Sequence, residues 1–413
     1  MKIAIIGSGI SGLALGYILD KNHDIQIFEK ESYIGGHCRT INAEVENQKI
    51  PVDTGFIVFN KKNYPHLTSL FEHLGVKYEK SKMSFGVSIQ DENFEYGTGS
   101  INSLLAQRSN IFRLDFWKML KDILKFFKHS KEFAENAEHT IADLLNYLKL
   151  GDWFKNYFLL PMAGSIWSAN PKSILDFPSI TLINFFENHG LLTVKDQPQW
   201  HTVTGGSKEY VKLLTESFHD KINLSTAIQK VERQQDKVVL TDENGIKHEF
   251  DRVVFACHSD QALTMIANPT KDEKEILGNI KYQENKVTLH VDQELMPNNK
   301  RAWSSWNYID YGIDQSLTLT YWMNNLQNLN TTQNIFVTVN PTDAIDRSKI
   351  LNEHIFHHPV FDLKAMNAQK KIDTIQGVQN TWFVGAYSRY GFHEDGILSA
   401  VKVAENMGES LPW

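Results

Sequence analysis

The chain has 413 residues, 42% of them apolar and 22% charged, with a formal net charge of −7 at pH 7. That length exceeds one ordinary core and suits two domains, and the negative balance argues against general nucleic-acid binding. No apolar run reaches the length of a bilayer-spanning helix, and the two cysteines, Cys38 and Cys257, form neither a CxxC pair nor a metal-ligand spacing, which fits a reducing cytoplasm and no metal site.

In chain order, Lys2 to Ile6 reads as a buried strand that enters Gly7-Ser8-Gly9-Ile10-Ser11-Gly12 and then a helix. Gly7 permits the tight turn, Gly9 lets backbone N–H groups approach a pyrophosphate, and Gly12 lets the helix pack on the strand, whose partner helix N-terminus favours negative charge. Glu29 closes a second apolar strand, Ile25 to Phe28, where a carboxylate can accept from ribose hydroxyls and disfavours a 2′-phosphate. Together these residues form a dinucleotide-binding fingerprint. Three glycines in the apolar opening and a single preceding Lys2 argue against a secretory signal. Gly35-Gly36-His37-Cys38-Arg39-Thr40, followed by Val52-Asp53-Thr54-Gly55-Phe56, adds a second close backbone approach and a guanidinium for a diphosphate, which points to FAD.

Further along, residues 112–133 predict an amphipathic helix carrying Lys118, Lys121, Lys125 and Lys128. From Ile111 to Lys131 there are six cations and two acids in an otherwise acidic chain, which suits an anionic membrane surface. Trp153 to Trp167, and later Trp303, Trp306, Tyr308, Tyr311, Tyr321 and Trp322, are expected to line an apolar tunnel. Thr204-Gly205-Gly206-Ser207 precedes a predicted helix from Lys208 to Phe218, and Asp251 to His258 reads as a buried strand with small residues at its C-terminal end. His354, His357 and His358 read as a solvated loop ending at Pro359. Thr381 to Ala386 predicts another buried strand, and His393-Glu394-Asp395-Gly396 leads into a helix from Ile397 to about Met407. Asp395 reads best as a helix cap. Cys38, with only Cys257 to pair with, reads as small-residue packing, as does His37.

Taken in this order, the residues resemble the flavin-dependent amine oxidase and phytoene desaturase superfamily. The resemblance implies an α/β fold, a Rossmann-like FAD-binding domain of the GR2 type (1–56, 201–260 and 376–413) interleaved with an α+β substrate domain (57–200 and 261–375), whose helical part near 111–170 faces a membrane. It further implies that Gly7, Gly9, Ser11, Gly12, Glu29 and Lys30 hold the ADP half, that Gly36, His37, Arg39, Thr40 and Thr54 lie near the diphosphate, and that Gly55 and Phe56 approach the isoalloxazine. Val231 matches the position beside the adenine. Gly385, Gly396 and Ile397 match the C-terminal flavin motif, although Ala386 stands where many relatives carry an acid. Tyr387 to Gly396 contains no cysteine, so FAD is expected to be non-covalent. Lys286 resembles the lysine that holds a water at the flavin, and His393 and Glu394 are expected at the reacting face as proton acceptors. The pairing of GGHCRT with GFHEDG resembles bacterial oxidoreductases linked to cyclopropane or methyl-branched fatty-acid synthesis. The expected activity is therefore FAD-dependent dehydrogenation of a lipid acyl chain by a cytoplasmic, peripherally membrane-bound enzyme. The alternatives are an amine oxidase and a flavin-binding protein without turnover.

Overall fold

Five short apolar segments drawn from three distant parts of the chain build one parallel sheet, in the order Ile222–Asn223, Asp24–Phe28, Lys2–Ile6, Arg252–Phe255, Thr381–Phe383. The computed structural model describes residues 1–133, 139–167, 174–188, 191–193, 197–312, 318–341 and 345–413. The central strand is buried on both faces, as its uninterrupted Ile-Ala-Ile-Ile demands. One face carries the helix Ile10–Leu19, itself almost wholly buried beneath the C-terminal helix His393–Asn406. The C-terminal helix begins at His393, four residues before the position expected, because Asp395 accepts from the N–H groups of Phe392 and Tyr390 and caps its own first turn.

A three-stranded antiparallel sheet, Ile228–Arg233, Val238–Asp242 and Lys247–Phe250, lies over the other face. It is tied to the helix Lys271–Gly278 by a buried Arg233–Glu273 pair. Arg233 Nη2 lies 3.0 Å from Glu273 Oε2, and the same carboxylate accepts from the Thr270 N–H in a capping box.

The second sheet has seven mixed strands, in the order Ile350–Val360, Lys281–His290, Phe336–Val339, Thr318–Trp322, Trp306–Asp310, Phe85–Ile89, Phe94–Gly97. His354, His357 and His358 belong to its edge strand rather than to a loop. Pro359 is tolerated there because an edge position leaves its missing N–H without a partner to disappoint. The near face of this sheet packs on the hairpin Thr40–Val45/Gln48–Asp53, whose turn residues Glu46 and Asn47 both have positive φ. At its other end the same face meets a layer of helices, Leu114–Phe133, Ile141–Tyr147, Leu160–Trp167 and Ser179–Asn188. Residues 134–138 and 168–170 of the stretch expected to be helical lie outside the described residues.

A single π-helical turn, Lys155–Leu159, interrupts this layer just before Pro161. Proline lacks the N–H that would bond the Tyr157 carbonyl, and Tyr96 Oη donates to that carbonyl instead, at 2.7 Å.

Removing one member of the buried Arg233–Glu273 pair strands a charge, so Glu273→Ala is expected to lower unfolding stability by about 3–5 kcal/mol in denaturant titration. A loss below about 1 kcal/mol would mean that the pair is solvated.

Candidate functional site: a dinucleotide cradle with a buried thiol, phenol and imidazole

The cradle forms where two glycine turns approach each other. Gly7 has φ +111, and a Cβ there would stand 2.7 Å from the Ala256 carbonyl oxygen. A Cβ on Gly12 would meet the Gly7 carbonyl at 2.1 Å, so the helix can leave the turn only because that position is bare. Gly36, at φ +58, faces Gly9 across a gap in which its Cβ would lie 3.2 Å from Gly9 Cα, whereas a Cβ on Gly9 would meet nothing within 4 Å. The open side of Gly9 therefore points into free space at a helix N-terminus, which fits a diphosphate. Glu29 is buried at the end of its strand and accepts from Ser8 N–H at 2.8 Å, Ser8 Oγ at 2.7 Å and Glu31 N–H at 2.9 Å. These use three of the roughly four acceptor positions of a carboxylate.

Arg39 is half-buried, donates to Asn352 Oδ1 at 3.0 Å and Thr54 Oγ1 at 3.3 Å, and has no carboxylate within ion-pair distance among the described residues. A half-buried guanidinium with only neutral partners fits an anionic group. Asn352, His354, Phe356 and His358 follow one another on the same face of the edge strand. Phe356 stacks on His37 at 4.4 Å, and His354 faces Tyr33. Burial, together with the neighbouring histidines, holds His37 well below the usual imidazole range, and burial holds His258 and His358 down to about 4.

At the far end of the cradle, Gly55 must be glycine because a Cβ would stand 2.2 Å from the His37 carbonyl oxygen. The next residue, Phe56, stacks on His393 with ring centroids 3.8 Å apart. His393 Nε2 lies 3.1 Å from both Cys38 Sγ and Tyr210 Oη, and those two buried groups also bond each other, closing a triangle with the partly buried imidazole. Burial pushes the Cys38 thiol up to about 12, the Tyr210 hydroxyl well above its ordinary value and His393 down to about 3. Thiol and phenol are therefore both protonated and either can donate to Nε2, an arrangement in which the imidazole proton lies on Nδ1.

The family described as flavin-containing amine oxidoreductase matches residues 10–396, most of this chain. The chain belongs to that family. It is an FAD-dependent oxidoreductase, and its fold is that of the amine oxidases over nearly its whole length. Cyclohexylamine oxidase from Brevibacterium oxydans superposes with a TM-score of 0.71 at 15% identity, covering 98% of this chain and 99% of that one. A fatty acid isomerase from P. acnes gives 0.68 at 15% identity, covering 98% of both. Protoporphyrinogen oxidase 2 of Arabidopsis thaliana is 24% identical over 186 residues, which are 42% of this chain and 34% of that protein.

Within the oxidoreductase, several residues stand elsewhere than expected. Lys286 pairs with Glu353 at 2.6 Å, half-exposed, opposite Ile355. Side chains alternate across a strand, so Lys286 lies on the sheet face turned away from Phe356, His37 and the cradle. The same alternation divides the expected aromatic tunnel. Trp306, Tyr308 and Tyr321 share the near face, whereas Trp303 and Trp322 pack with each other on the far one.

Glu394 is not a proton acceptor at an open face, since its two oxygens accept from the N–H groups of His66 and Leu67 at 3.0 Å each and cap the helix Pro65–Leu74. Thr40 donates to Asp53 at 2.6 Å and accepts from the Lys208 N–H. Lys30 is exposed beside Glu31, and Val231 lies in the core with its carbonyl bonded to Ala267. Gly396 sits where a Cβ would press Ser11 Oγ at 2.8 Å, and Ile397 is buried behind it. Gly385 is extended and donates to Ser399 Oγ. Cys38 takes part in the triangle instead of merely packing, and Cys257 is free. Two residues of the site were not singled out from the sequence, although Asp53 lies in the second glycine segment. Tyr210 lies inside an ordinary helical pattern, and Asp53, pushed up to about 6 by burial, accepts from Ser207 and Gln327.

Glu394→Ala should cost about 0.5–2 kcal/mol of stability and leave flavin reduction unchanged, as thermal melting beside anaerobic reduction would show. The flavin-free protein should also melt at a lower temperature at about pH 5 than at about pH 7. His37, His258, His290, His358 and His393 all fall below 6.5, so below that pH the unfolded chain binds more protons and stability is lost. Asp53, Asp395 and Glu394 are raised by burial and act in the opposite sense, but they are fewer. A melting temperature that rises on acidification would sink this ordering.

Proposed function

We propose that this oxidoreductase removes a hydride and a proton from an apolar, uncharged substrate, a modified acyl chain of membrane lipid, and so dehydrogenates it, the proton passing to water. The observation that carries this reading is the surroundings of His393. Phe392, the residue before it, stacks on Phe185 of the aromatic helical layer at 5.0 Å. The carboxylates of Asp53, Glu394 and Asp395 are turned inward onto backbone N–H groups. The side of the site reached from the helical layer is thus aromatic, with its nearest acids already engaged, which suits a hydrocarbon better than a substrate ammonium. The neighbouring fold of a fatty acid isomerase agrees, as does that of a cyclohexylamine oxidase with the amine alternative.

When bound, FAD supplies the two-electron acceptor for hydride removal. Gly7, Gly9, Gly12 and Gly36 would admit its diphosphate, Arg39 would face that charge, and Gly55 and Phe56 would border the ring system. We propose that the cofactor is non-covalent, since the C-terminal motif has no cysteine and burial pushes the thiols of Cys38 and of the partly buried Cys257 up to about 12. Two free thiols also suit a reducing compartment. No helix of the described residues is long and apolar enough to cross a membrane. His393, held neutral, is a poor base, and with its proton on Nδ1 it would be an N–H donor to the negative charge that reduction leaves on a bound flavin ring. Cys38 and Tyr210 position that donor.

The deciding experiment is anaerobic absorbance of the flavin-loaded protein on addition of methylated or unsaturated phospholipid, with an amine panel alongside. Bleaching by lipid and not by amines is the expected result; bleaching only by amines would make it an amine oxidase, and bleaching by neither would favour a flavin protein without turnover. His393→Ala should slow bleaching by about 10²–10³-fold, with His393→Asn, which retains an N–H donor, losing less.

A further inference from the structure

We infer that the outer surface of the helix Leu114–Phe133, with the turn before it, is a docking face for an anionic lipid bilayer. Among the described residues thirteen large apolar side chains are exposed, and six of them fall between residues 101 and 124: Ile101, Ile111, Phe112, Leu114, Trp117 and Leu124. Phe112 is 88% exposed and Leu114 77%, values at which folding gains almost nothing from an apolar residue. Trp117 Nε1 donates to the Ile111 carbonyl at 2.8 Å, which pins the Ile111–Phe112 turn against the helix and joins them into one patch.

Leu114, Trp117, Lys121, Leu124 and Lys128 recur at three- and four-residue spacing and share one helix face, while Phe116, Met119, Phe126 and Ser130 bury the other. The exposed row thus mixes apolar anchors with cations, the composition of an interfacial helix. Of the four lysines that the sequence singles out, Lys118 is paired with Asp115 and Lys125 donates to the Leu148 carbonyl. Lys121 and Lys128 make no ion pair among the described residues and remain for head groups. The nearby acids are occupied, Asp115 by Lys118 and Asp122 by the Gly151 N–H.

The charge selects the occupant. In an isologous dimer of this face the lysines of two copies would oppose each other, whereas an anionic bilayer complements the cations and accepts the apolar side chains at head-group depth. The buried face of the same helix joins the aromatic layer of Phe154, Phe158 and Phe186, and that layer reaches Phe392 beside His393 through Phe185. A docked molecule would have continuous apolar packing between bilayer and cradle, a consequence that rests on the reading of the substrate as an acyl chain.

The test is co-sedimentation of the flavin-loaded full chain with vesicles of phosphatidylcholine alone or mixed with phosphatidylglycerol, without added substrate. Binding to the mixed vesicles, weakened by salt, is expected. Phe112→Asp with Leu114→Asp alters only exposed positions and should weaken that binding about tenfold or more. Lys121→Glu with Lys128→Glu should weaken it about tenfold while leaving attachment to neutral vesicles unchanged. No binding to either vesicle, binding that both variants retain, or a dimer in sedimentation velocity that the Phe112/Leu114 variant abolishes would each overturn the inference. Wild-type protein that sediments with anionic vesicles in this variant-dependent way, yet is bleached by no lipid in detergent, would support the docking face and remove the substrate reading alone.

Discussion

Two helices from opposite ends of the chain must pack closely, side chains of one against a bare position of the other, and the site depends on that contact. Gly396, in the first turn of the C-terminal helix, lies against Ile10 and Ser11 of the first helix, and Gly12 lets the first helix leave the turn at Gly7. Their close approach brings two helix N-termini to one cradle, so backbone N–H groups and both helix dipoles face the same space. Any Cβ at Gly12 or Gly396 would force backbone or buried side chains apart. The parallel sheet beneath, assembled from segments more than three hundred residues apart, keeps the two turns in register.

Around that contact, buried carboxylates serve as structural acceptors. Glu29, Asp53, Glu394 and Asp395 each bond backbone N–H groups at turns or helix starts, and Arg233 and Glu273 clamp the smaller sheet. Desolvation raises Asp53 and Asp395 towards neutral pH, a range that in another setting would mark a general acid or base. Here hydrogen-bonding capacity is already committed, so a shifted carboxyl marks burial. The group with an unusual arrangement is His393, whose neutrality follows from burial and whose Nε2 faces a protonated thiol and phenol.

The second sheet divides its residues by parity. On the edge strand the even-numbered Asn352, His354, Phe356 and His358 meet Arg39, Tyr33 and His37, while on the next strand Lys286 leaves by the opposite face. One register decides both outcomes, and a one-residue slip would exchange them. The helical layer at the other end of the same sheet offers aromatic surface inward and a mixed apolar and basic surface outward, which links the reacting end of the cradle to the exterior through packed rings.

The dinucleotide turn, the strand and helix around it, the second glycine segment and the amphipathic helix were legible in the sequence because each is a local pattern. Bare turns, alternation and helical spacing act over a few residues, where backbone sterics alone restrict the choices. Which face Lys286 occupies, that the His354 segment is an edge strand, that Glu394 caps a helix more than three hundred residues away, and that Cys38, Tyr210 and His393 meet were decided only by the tertiary structure. Those outcomes depend on register and on packing between distant segments, and the local sequence around each residue is compatible with more than one of them.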